Sequence, residues 1–426
     1  MPYVHQKKPL RLYPAQVSTQ STGFLQINLT GALTYTPIPD ATVRIAYTGN
    51  PTQTIEELTT DESGQTPTIE LPTPPRDYSL EPESQQPYSE YTLSITAPGY
   101  EDFVIAGTQL LSGETAVQPA ALLPSQPEPG QNIVIPAHTL YGDFPPKNPE
   151  SEIKPIAETG EIVLSRVVVP ETIVVHDGPP NDTKANNYYV PYKDYIKNVA
   201  SSEIYATWPE STIIANALAI MSFTMNRVYT EWYRNKGYDF TITSSTAYDH
   251  CFIPGRNYFD SISAVVETIF TNFLSRPGVR QPILTQYCDG KRVSCPNWMR
   301  QWESKTLGDQ GLDPIEILRY FYGDSIYINS AEQISGIPSS WPGAPLEIGS
   351  SGPKVMQMQE QLNRIAQNYP ALPTIAADGI YGPATENAVK TFQKIFGLPQ
   401  TGIVDYRTWY KISEIYVGVS RIAELV

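Results

Sequence analysis

Apolar and polar residues alternate through the first 123 residues of the chain, in short runs separated by turn-forming residues. The period of two that is typical of half-buried strands occurs in GFLQINLTG and ATVRIAYTG, and later in YSEYTLSITAPGYED and FVIAGTQLL. Turn-forming residues dominate the intervening segment TTDESGQT. We therefore predict a tail over residues 1–22, an antiparallel β-sandwich over 23–123 and a proline-rich linker over 124–160.

The spacing of apolar residues becomes helical in the middle of the chain, in VPYKDYIKNVASSEIYATWP. Intervals of three and four residues put these side chains on one face of a helix: Tyr192, Ile196, Val199 and Glu203. The next helical run is apolar on more than one side, which predicts a helix at the centre of its domain. Runs typical of strands and of helices both follow, so we predict a mixed α+β domain over residues 161–333.

Helical spacing recurs three times after a linker over residues 334–345, in VMQMQEQLNRIA, TENAVKTFQKIF and TWYKISEIYVGVSRIAEL. Two turns rich in glycine and proline, DGIYGP and GLPQTGIV, separate these runs. We predict a compact bundle of three helices over residues 346–426. The predicted fold class is a multidomain α+β protein, with an N-terminal all-β sandwich, a central mixed α+β domain and a C-terminal three-helix bundle.

Composition narrows the range of partners. The chain has 426 residues and a formal net charge of −15, which opposes binding to nucleic acid and to anionic membrane surfaces but is compatible with a polysaccharide. A run of 18 apolar residues is absent, so no membrane span is predicted. The N-terminal segment MPYVHQKKPLRLYPAQ lacks the apolar region of a secretory signal peptide. We expect synthesis in a cytosol, with any later location reached by lysis or assembly.

The cysteines Cys251, Cys288 and Cys295 are too few for a disulfide framework. Cys288 and Cys295 could pair with each other. His250 beside Cys251, together with the other two cysteines, could alternatively bind zinc. Because their spacing matches no standard zinc signature, we favour free thiols or one local disulfide, and we predict neither a metal nor a cofactor.

The C-terminal segment contains LEIGSSGPKVMQMQEQLN followed by DGxYGxxTxxAVxxFQ over residues 378–393. This pattern resembles the three-helix peptidoglycan-binding domain of bacterial wall hydrolases. The resemblance implies peptidoglycan as a partner. Asp378, Tyr381 and Thr385 lie at one turn and one helix start, and they are candidates for hydrogen bonding to glycan or stem peptide and for stacking against it.

The middle segment VPYKDYIKNVASSEIYATWPESTIIANALAI resembles the start of the catalytic domain of the stage II sporulation protein D family. The later segment MRQWESKTLGDQGLDPIEILRYFYG resembles that family's SQWG segment and closing helix. Members of the family cleave the glycan of peptidoglycan as lytic transglycosylases. Glu203 occupies the position of the family's glutamate, so the resemblance implies that Glu203 is the general acid and base.

The order of domains resembles that of the clostridial spore-cortex-lytic enzymes, and the N-terminal region resembles transthyretin-like and carboxypeptidase-regulatory-like modules. The resemblance implies a proenzyme located in the cortex or coat region of the spore. It further implies that a germination protease activates this proenzyme by removing an N-terminal segment.

One glutamate is sufficient for a lytic transglycosylase, because the C6 hydroxyl of the substrate attacks the anomeric carbon and leaves a 1,6-anhydro-muramic acid end. A carboxyl on an apolar helix face loses solvation, and its pKa rises toward the neutral range that a general acid needs. Further candidates for the substrate cleft are Tyr205, Ser245, Thr246, Gln301 and Trp302, each of which could equally be a core or turn residue.

Two departures from the family pattern keep another function open. Met221 stands where we align the family's arginine, and Arg300 and Glu303 replace the first and last residues of SQWG. These changes favour, as an alternative, a non-catalytic peptidoglycan-binding or spore-structural paralogue. A muramidase is a third reading, but it requires a second acid, for which the sequence offers no clear candidate near Glu203.

Overall fold

The computed structural model describes residues 21–125, 130–154, 166–331, 333–335 and 341–420. Most of the predicted N-terminal tail, parts of both linkers, the first residues of the predicted central domain and the last six residues lie outside this part of the chain. The fold is mixed α+β, with a β-rich N-terminal region and helices at the C-terminal end.

The N-terminal region is built from two sheets. Its strands are β1 (Ser21–Gly31), β2 (Thr42–Tyr47), β3 (Thr54–Thr59), β4 (Ile69–Thr73), β5 (Tyr88–Thr96), β6 (Phe103–Leu111), β7 (Thr115–Leu122) and β8 (Gln131–Val134). One sheet has the order β4-β1-β7 and the other β3-β2-β5-β6-β8. The pair β1–β7 is parallel, so the prediction of an antiparallel sandwich is wrong at this pair. Strand β6 also pairs in parallel with β8, which lies in the predicted linker.

Alternation of side chains explains why these segments form sheets. Along β1 the residues Leu25, Ile27 and Leu29 are fully buried, while their neighbours are partly or fully exposed. Val43 and Ile45 of β2 contribute to the same apolar core from the other sheet. The period of two in the sequence therefore corresponds to one buried and one solvated face.

The central region follows. Its elements are β9 (Val168–Val169), β10 (Thr172–His176), β11 (Asn187–Pro191), α1 (Tyr192–Glu203), α2 (Glu210–Tyr229), β12 (Ile242–Thr243), β13 (Tyr258–Phe259), α3 (Asp260–Ile269), β14 (Asn272–Ser275), β15 (Tyr287–Cys288), β16 (Met299–Arg300), α4 (Gln301–Asp309), α5 (Pro314–Tyr322), β17 (Tyr327–Ser330) and β18 (Gln333–Ile334). Helix α2 packs against α1, α3, α4, α5 and β14, which confirms the predicted central helix.

The C-terminal helices are α6 (Pro353–Ala366), α7 (Pro383–Ile395) and α8 (Tyr406–Ser420). Two buried glutamines fix the glycine turns between them. Gln359 accepts from Gly379 N at 2.8 Å, and Gln393 accepts from Gly402 N at 2.9 Å. Because each amide also donates to a carbonyl of the same turn, the turns are tied to the helices that precede them.

The three regions share interfaces. Strand β13 pairs with β7 and so extends the N-terminal sheet with residues of the central region. Asn257, just before β13, accepts from Gln109 N at 3.0 Å and donates to Gln109 O at 2.9 Å. On the opposite side, α8 docks against α1 and α3 through a cluster of ion pairs among Lys193, Lys197, Glu267, Lys411 and Glu414.

Part of the predicted linker over residues 124–160 is built into the fold. Strand β8 joins the second sheet, and residues 147–154, which we call the strap, lie against the central region. Asn148 N donates to Ala247 O at 2.7 Å, and Leu284 N donates to Glu152 O at 2.8 Å. These hydrogen bonds give the strap a defined place that its proline-rich composition did not predict.

Candidate active site

Glu203 is the last residue of α1, and only 3% of its surface is exposed. The main-chain N–H of Cys251 donates to its Oε1 at 2.6 Å. The hydroxyl of Tyr287 donates to its Oε2. Both carboxyl oxygens are therefore engaged, and the side chain is held in one orientation inside the central region.

Burial raises the pKa of the Glu203 carboxyl above its usual range. Lys147, the Tyr287 hydroxyl and the Cys251 N–H act in the opposite direction and offset part of that rise. The protonated form of Glu203 therefore persists to a higher pH than it does in an exposed glutamate. This is the state that can donate a proton.

The end of α1 is capped by side chains. The donors to the carbonyl oxygens of residues 201, 202, 203 and 204 are, in that order, Arg256, Thr139, Gln301 and His138, at 2.6, 2.9, 3.1 and 3.3 Å. His138 Nδ1 accepts from Leu140 N, so its Nε2 carries the proton that it donates. Since the last carbonyls of a helix lack partners within the helix, these contacts fix the position of the acid.

Three of the predicted cleft residues lie beside the acid. Gln301 is buried and bonds the main chain of Glu203, so it positions the helix end. Tyr205 and Trp302 are 2% and 5% exposed, and their ring centroids are 6.1 Å apart. Trp208 packs on Trp302 with ring centroids 5.0 Å apart, so the three rings form one aromatic cluster.

Ser245 and Thr246 are half-buried in the turn that precedes Asp249. Ser245 O accepts from Asp249 N at 2.8 Å, which is a structural contact. No contact between these two residues and Glu203 is found among the described hydrogen bonds. Their predicted place in a substrate cleft therefore stays a prediction.

A second group of charged residues adjoins the acid and was not predicted. Asp249 is fully buried and accepts from Arg227 Nε at 2.7 Å and from Tyr233 OH at 2.7 Å. Arg227 lies on α2 six residues after Met221, which is itself a fully buried core residue. The arginine that the family pattern led us to seek at Met221 is thus absent there, while α2 carries its own arginine farther along.

The strap reaches this group from outside. Arg227 holds Glu150 with two nitrogens, at 2.6 and 3.0 Å, and Arg276 holds Glu152 at 2.7 Å. Lys147 is 9% exposed, with its Nζ 4.8 Å from the ring centroid of Tyr287. Burial lowers the pKa of Lys147, while the nearby carboxylate of Glu203 favours its charged form. The strap therefore contributes a buried cation to the surroundings of the acid.

Cys288 and Cys295 form a disulfide, with a Cα–Cα distance of 6.1 Å, which is one of the alternatives left open by the sequence. Cys251 is a free, buried thiol whose pKa is raised by burial. Within the described ranges, no group of three or more His, Cys, Asp or Glu side chains is arranged to hold a metal ion. The helices in those ranges include none that is long and apolar enough to cross a membrane.

The candidate binding residues of the C-terminal region lie apart from Glu203 and differ in exposure. Tyr381 and Thr385 are 1% and 3% exposed. Tyr381 OH donates to Gly402 O at 2.8 Å, and Thr385 accepts from Gln359 at 3.1 Å, so both support the turns. Asp378 is exposed at the same turn, where its Oδ1 accepts from Ile380 N at 2.9 Å and from Gln359 Nε2 at 3.2 Å. Its Oδ2 takes part in none of the described hydrogen bonds.

Large apolar side chains surround that turn on the surface. The exposed fractions of Ile348, Met356 and Ile380 are 54%, 43% and 60%. Single exposed apolar residues are common, but three around one turn are typical of a contact surface. We refer to these three residues with Asp378 as the turn patch.

Comparison with known proteins identifies the C-terminal region. Residues 351–412 match the family described as "Putative peptidoglycan binding domain". The zinc D-Ala-D-Ala carboxypeptidase of Streptomyces albus G is 42% identical over 77 residues, which are 18% of this chain and 28% of that protein. The chain thus aligns with little more than a quarter of this relative's length. It carries a peptidoglycan-binding domain at its C-terminal end, which confirms the resemblance of the DGxYG pattern.

Two solved structures are similar over short parts of the chain. The SleB N-terminal domain has 27% identity and a TM-score of 0.16, covering 18% of this chain and 99% of that domain. The 5-hydroxyisourate hydrolase of Klebsiella pneumoniae has 14% identity and a TM-score of 0.16, covering 24% of this chain and 92% of that protein.

Proposed function

Because the chain carries a peptidoglycan-binding domain, we propose that it cleaves the glycan strand of peptidoglycan as a lytic transglycosylase, with Glu203 as general acid and base. The observation that carries this proposal is the buried carboxyl of Glu203 at a capped helix end, with a raised pKa and both oxygens hydrogen-bonded. Such a carboxyl is preorganised to deliver a proton to one place.

The reaction needs one carboxyl in two states. Protonated Glu203 gives its proton to the glycosidic oxygen as the bond from that oxygen to C1 breaks. The C6 hydroxyl of the same sugar attacks C1, and the Glu203 carboxylate accepts its proton. The products are a free hydroxyl on the leaving sugar and a 1,6-anhydro-muramic acid end, and no water is added. Glu203 ends the cycle protonated, as it began.

The strap supports the further proposal that this form of the chain is a proenzyme. Lys147 favours the ionised state of Glu203, which cannot donate a proton, and the acid is almost fully covered. Removal of a segment that ends beyond residue 154 would withdraw Lys147 and Glu150, the partner of Arg227, together with the cap donors His138 and Thr139. Withdrawal of Lys147 would remove a charge that favours the ionised form of Glu203, and the site would open. We assign that cleavage to a protease acting in spore germination, and the proenzyme to the cortex or coat region of the spore.

Peptidoglycan contact at the C-terminal end is assigned to the turn patch. Ile348, Met356 and Ile380 can pack against sugar or stem-peptide surface, and Asp378 can accept hydrogen bonds. The buried residues Tyr381 and Thr385 hold the turn in shape. This assignment keeps Asp378 from the sequence-based candidates as a direct contact.

The alternative, a non-catalytic wall-binding protein, is favoured by the near-complete burial of Glu203 with both oxygens hydrogen-bonded inside the fold, which is also how a structural carboxylate is held. The products of the reaction separate the two functions. Protein cut beyond residue 154 is incubated with spore cortex, and the soluble fragments are weighed by mass spectrometry.

Anhydro-muramic ends would support the transglycosylase. Reducing muramic ends would instead indicate a muramidase, and bound protein without soluble fragments would support the non-catalytic alternative. Glu203→Gln is the test variant. Glu210→Gln, an exposed glutamate seven residues along the chain, is the matched control.

A further inference from the structure

A cluster of side chains lies on the surface of α4 and α5 and has no part in the proposed chemistry. We call it the Tyr320 platform, and it consists of Arg300, Glu303, Tyr320 and Phe321. Tyr320 is 57% exposed, and its hydroxyl donates to Glu303 Oε1 at 2.9 Å. Arg300 Nε donates to the other oxygen of Glu303. The Arg300 guanidinium lies 5.4 Å from the ring centroid of Phe321.

The platform adjoins the elements that hold the acid. Strands β15 and β16 pair so that Tyr287, the donor to Glu203, lies opposite Met299, and Cys288 lies opposite Arg300. The next residue after Arg300 is Gln301, which bonds the main chain of Glu203. Helix α5 is tied to the residue that precedes β15, because Tyr322 OH donates to Gln286 O at 2.9 Å. The platform is therefore built on the elements that also place Tyr287 and Gln301 against Glu203.

The chemistry of the platform suits an uncharged, hydrogen-bonding ligand. Arg300 and Glu303 form an ion pair, so their charges cancel and neither an anion nor a cation is favoured. An exposed tyrosine ring offers an apolar face with a polar rim, which complements the C–H face and the hydroxyls of a sugar. Its hydroxyl is fixed by Glu303, so less side-chain freedom is lost on binding.

We propose that the Tyr320 platform binds an uncharged N-acetylhexosamine residue of the glycan strand, away from the bond at Glu203. This inference rests on the proposed function, since it makes the platform a subsite for the same glycan. It also gives a role to Arg300 and Glu303, the two departures from the SQWG pattern. They hold the tyrosine ring in place and keep the surface neutral.

The test uses the full chain, in which Tyr320 is exposed, and chitohexaose, a peptide-free oligomer of N-acetylglucosamine, as the probe. Chitohexaose is titrated into the protein, and hydrogen–deuterium exchange measures the protection of residues 314–322. Because these residues lie outside the C-terminal domain, binding of the probe to that domain does not contribute to the measured protection. Tyr320→Ala should raise the dissociation constant measured from the protection of these residues by about fivefold or more. This corresponds to about 1 kcal/mol of binding free energy. Tyr320→Phe keeps the ring face but loses the hydroxyl that Glu303 fixes, so its dissociation constant should lie between those of the parent and of Tyr320→Ala.

Tyr189→Ala is the matched control, because Tyr189 is also an exposed tyrosine, with 74% of its surface accessible. It lies on β11, which leads into the first residue of α1, whereas Glu203 is the last residue of that helix. Its affinity should equal that of the parent. Equal affinities for Tyr320→Ala and the parent, or no protection of residues 314–322 in the parent, would overturn the inference.

The binding assay does not depend on cleavage, so the two proposals fail separately. A parent chain that is protected at the platform, yet releases no glycan fragments after activation, contradicts the proposed function alone. A chain that cleaves, with KM and kcat unchanged in Tyr320→Ala, contradicts the platform alone. If the platform is a subsite, Tyr320→Ala should raise KM more than it lowers kcat.

Discussion

Arg227 holds the carboxylate of Glu150 with two hydrogen bonds, of 2.6 and 3.0 Å, and so ties the strap to the central helix α2. The same guanidinium bonds Asp249 through Nε at 2.7 Å. One fully buried cation thus serves two carboxylates, one from the strap and one from the core. The strap and the helix are expected to be stabilised together.

Arg227→Met should therefore lower the free energy of unfolding by about 3–5 kcal/mol, because the fully buried Asp249 and the part-buried Glu150 each lose their guanidinium partner. Urea denaturation of the full chain measures this. The control Arg234→Met removes an arginine side chain that is 52% exposed and lies 3.4 Å from Glu231, and it should change stability by less than about 1 kcal/mol. Equal stability of the two variants would show that the network contributes little.

Glu203→Gln should reduce cleavage by activated protein at least about 100-fold while leaving peptidoglycan binding unchanged, since the amide cannot donate a proton to the glycosidic oxygen. Turbidity loss of decoated spores gives the rate, and sedimentation with insoluble peptidoglycan gives the binding. Glu210→Gln should clear spores at the parent rate. Clearance by Glu203→Gln within about tenfold of the parent would remove Glu203 from the mechanism.

The same substitution has a pH-dependent effect on stability. Because burial raises the pKa of Glu203 in the folded state, the folded chain loses stability as the pH rises toward and through that raised value. A glutamine at this position does not ionise, so its burial causes no such loss of stability as the pH rises. The variant should gain stability relative to the parent as the pH rises above 4.5, the ordinary pKa of a glutamate, as measured by urea denaturation. A difference in the free energy of unfolding between variant and parent that does not change with pH would argue against a raised pKa of Glu203.

Tyr287→Phe removes a hydrogen bond that favours the ionised form of Glu203, so the pKa of Glu203 should rise further. The acid then stays protonated to higher pH, and the alkaline limb of the pH–rate profile of the activated protein should move upward. Tyr322→Phe, which loses only the bond to Gln286 O, should leave the profile in place. A downward shift for Tyr287→Phe would contradict the proposed role of the carboxyl.

Ile380→Ala in the turn patch should lower retention of the full chain on insoluble peptidoglycan without changing its melting temperature, because the side chain is 60% exposed. Thr385→Val should instead lower the melting temperature without changing retention on peptidoglycan. The reason is that it removes the acceptor of a buried hydrogen bond from Gln359. A Thr385→Val protein that folds as well as the parent but fails to bind would restore Thr385 as a direct contact.

The spacing of apolar residues correctly predicted local secondary structure. The intervals from Tyr192 to Glu203 correctly indicated a helix face, and Glu203 is buried on it. Its partners Lys147, Cys251 and Tyr287 come from distant parts of the chain, and no periodicity relates them to α1. The sequence therefore indicated a carboxyl on the buried face of a helix but could not show what surrounds it.

The sequence also could not show which buried polar groups hydrogen-bond to one another. Thr385 was predicted at a helix start, and the structure adds that Gln359, in the middle of α6, donates to it. The proline-rich strap looked like a spacer, yet its charges match Arg227 and Arg276. In each case the deciding interaction joins residues whose proximity depends on the completed fold.

The pairing of β13 with β7 sets an order of events during synthesis. Gln109 and Asn257, which exchange two hydrogen bonds beside this pair, are separated by 148 residues of chain. At about 5–20 residues per second, the ribosome needs roughly 7–30 s to make the second after the first. For that time the edge of β7 is open to strands of neighbouring nascent chains. Slow translation lengthens this interval, so the yield of folded protein should depend on chaperones that cover the edge until residue 259 emerges.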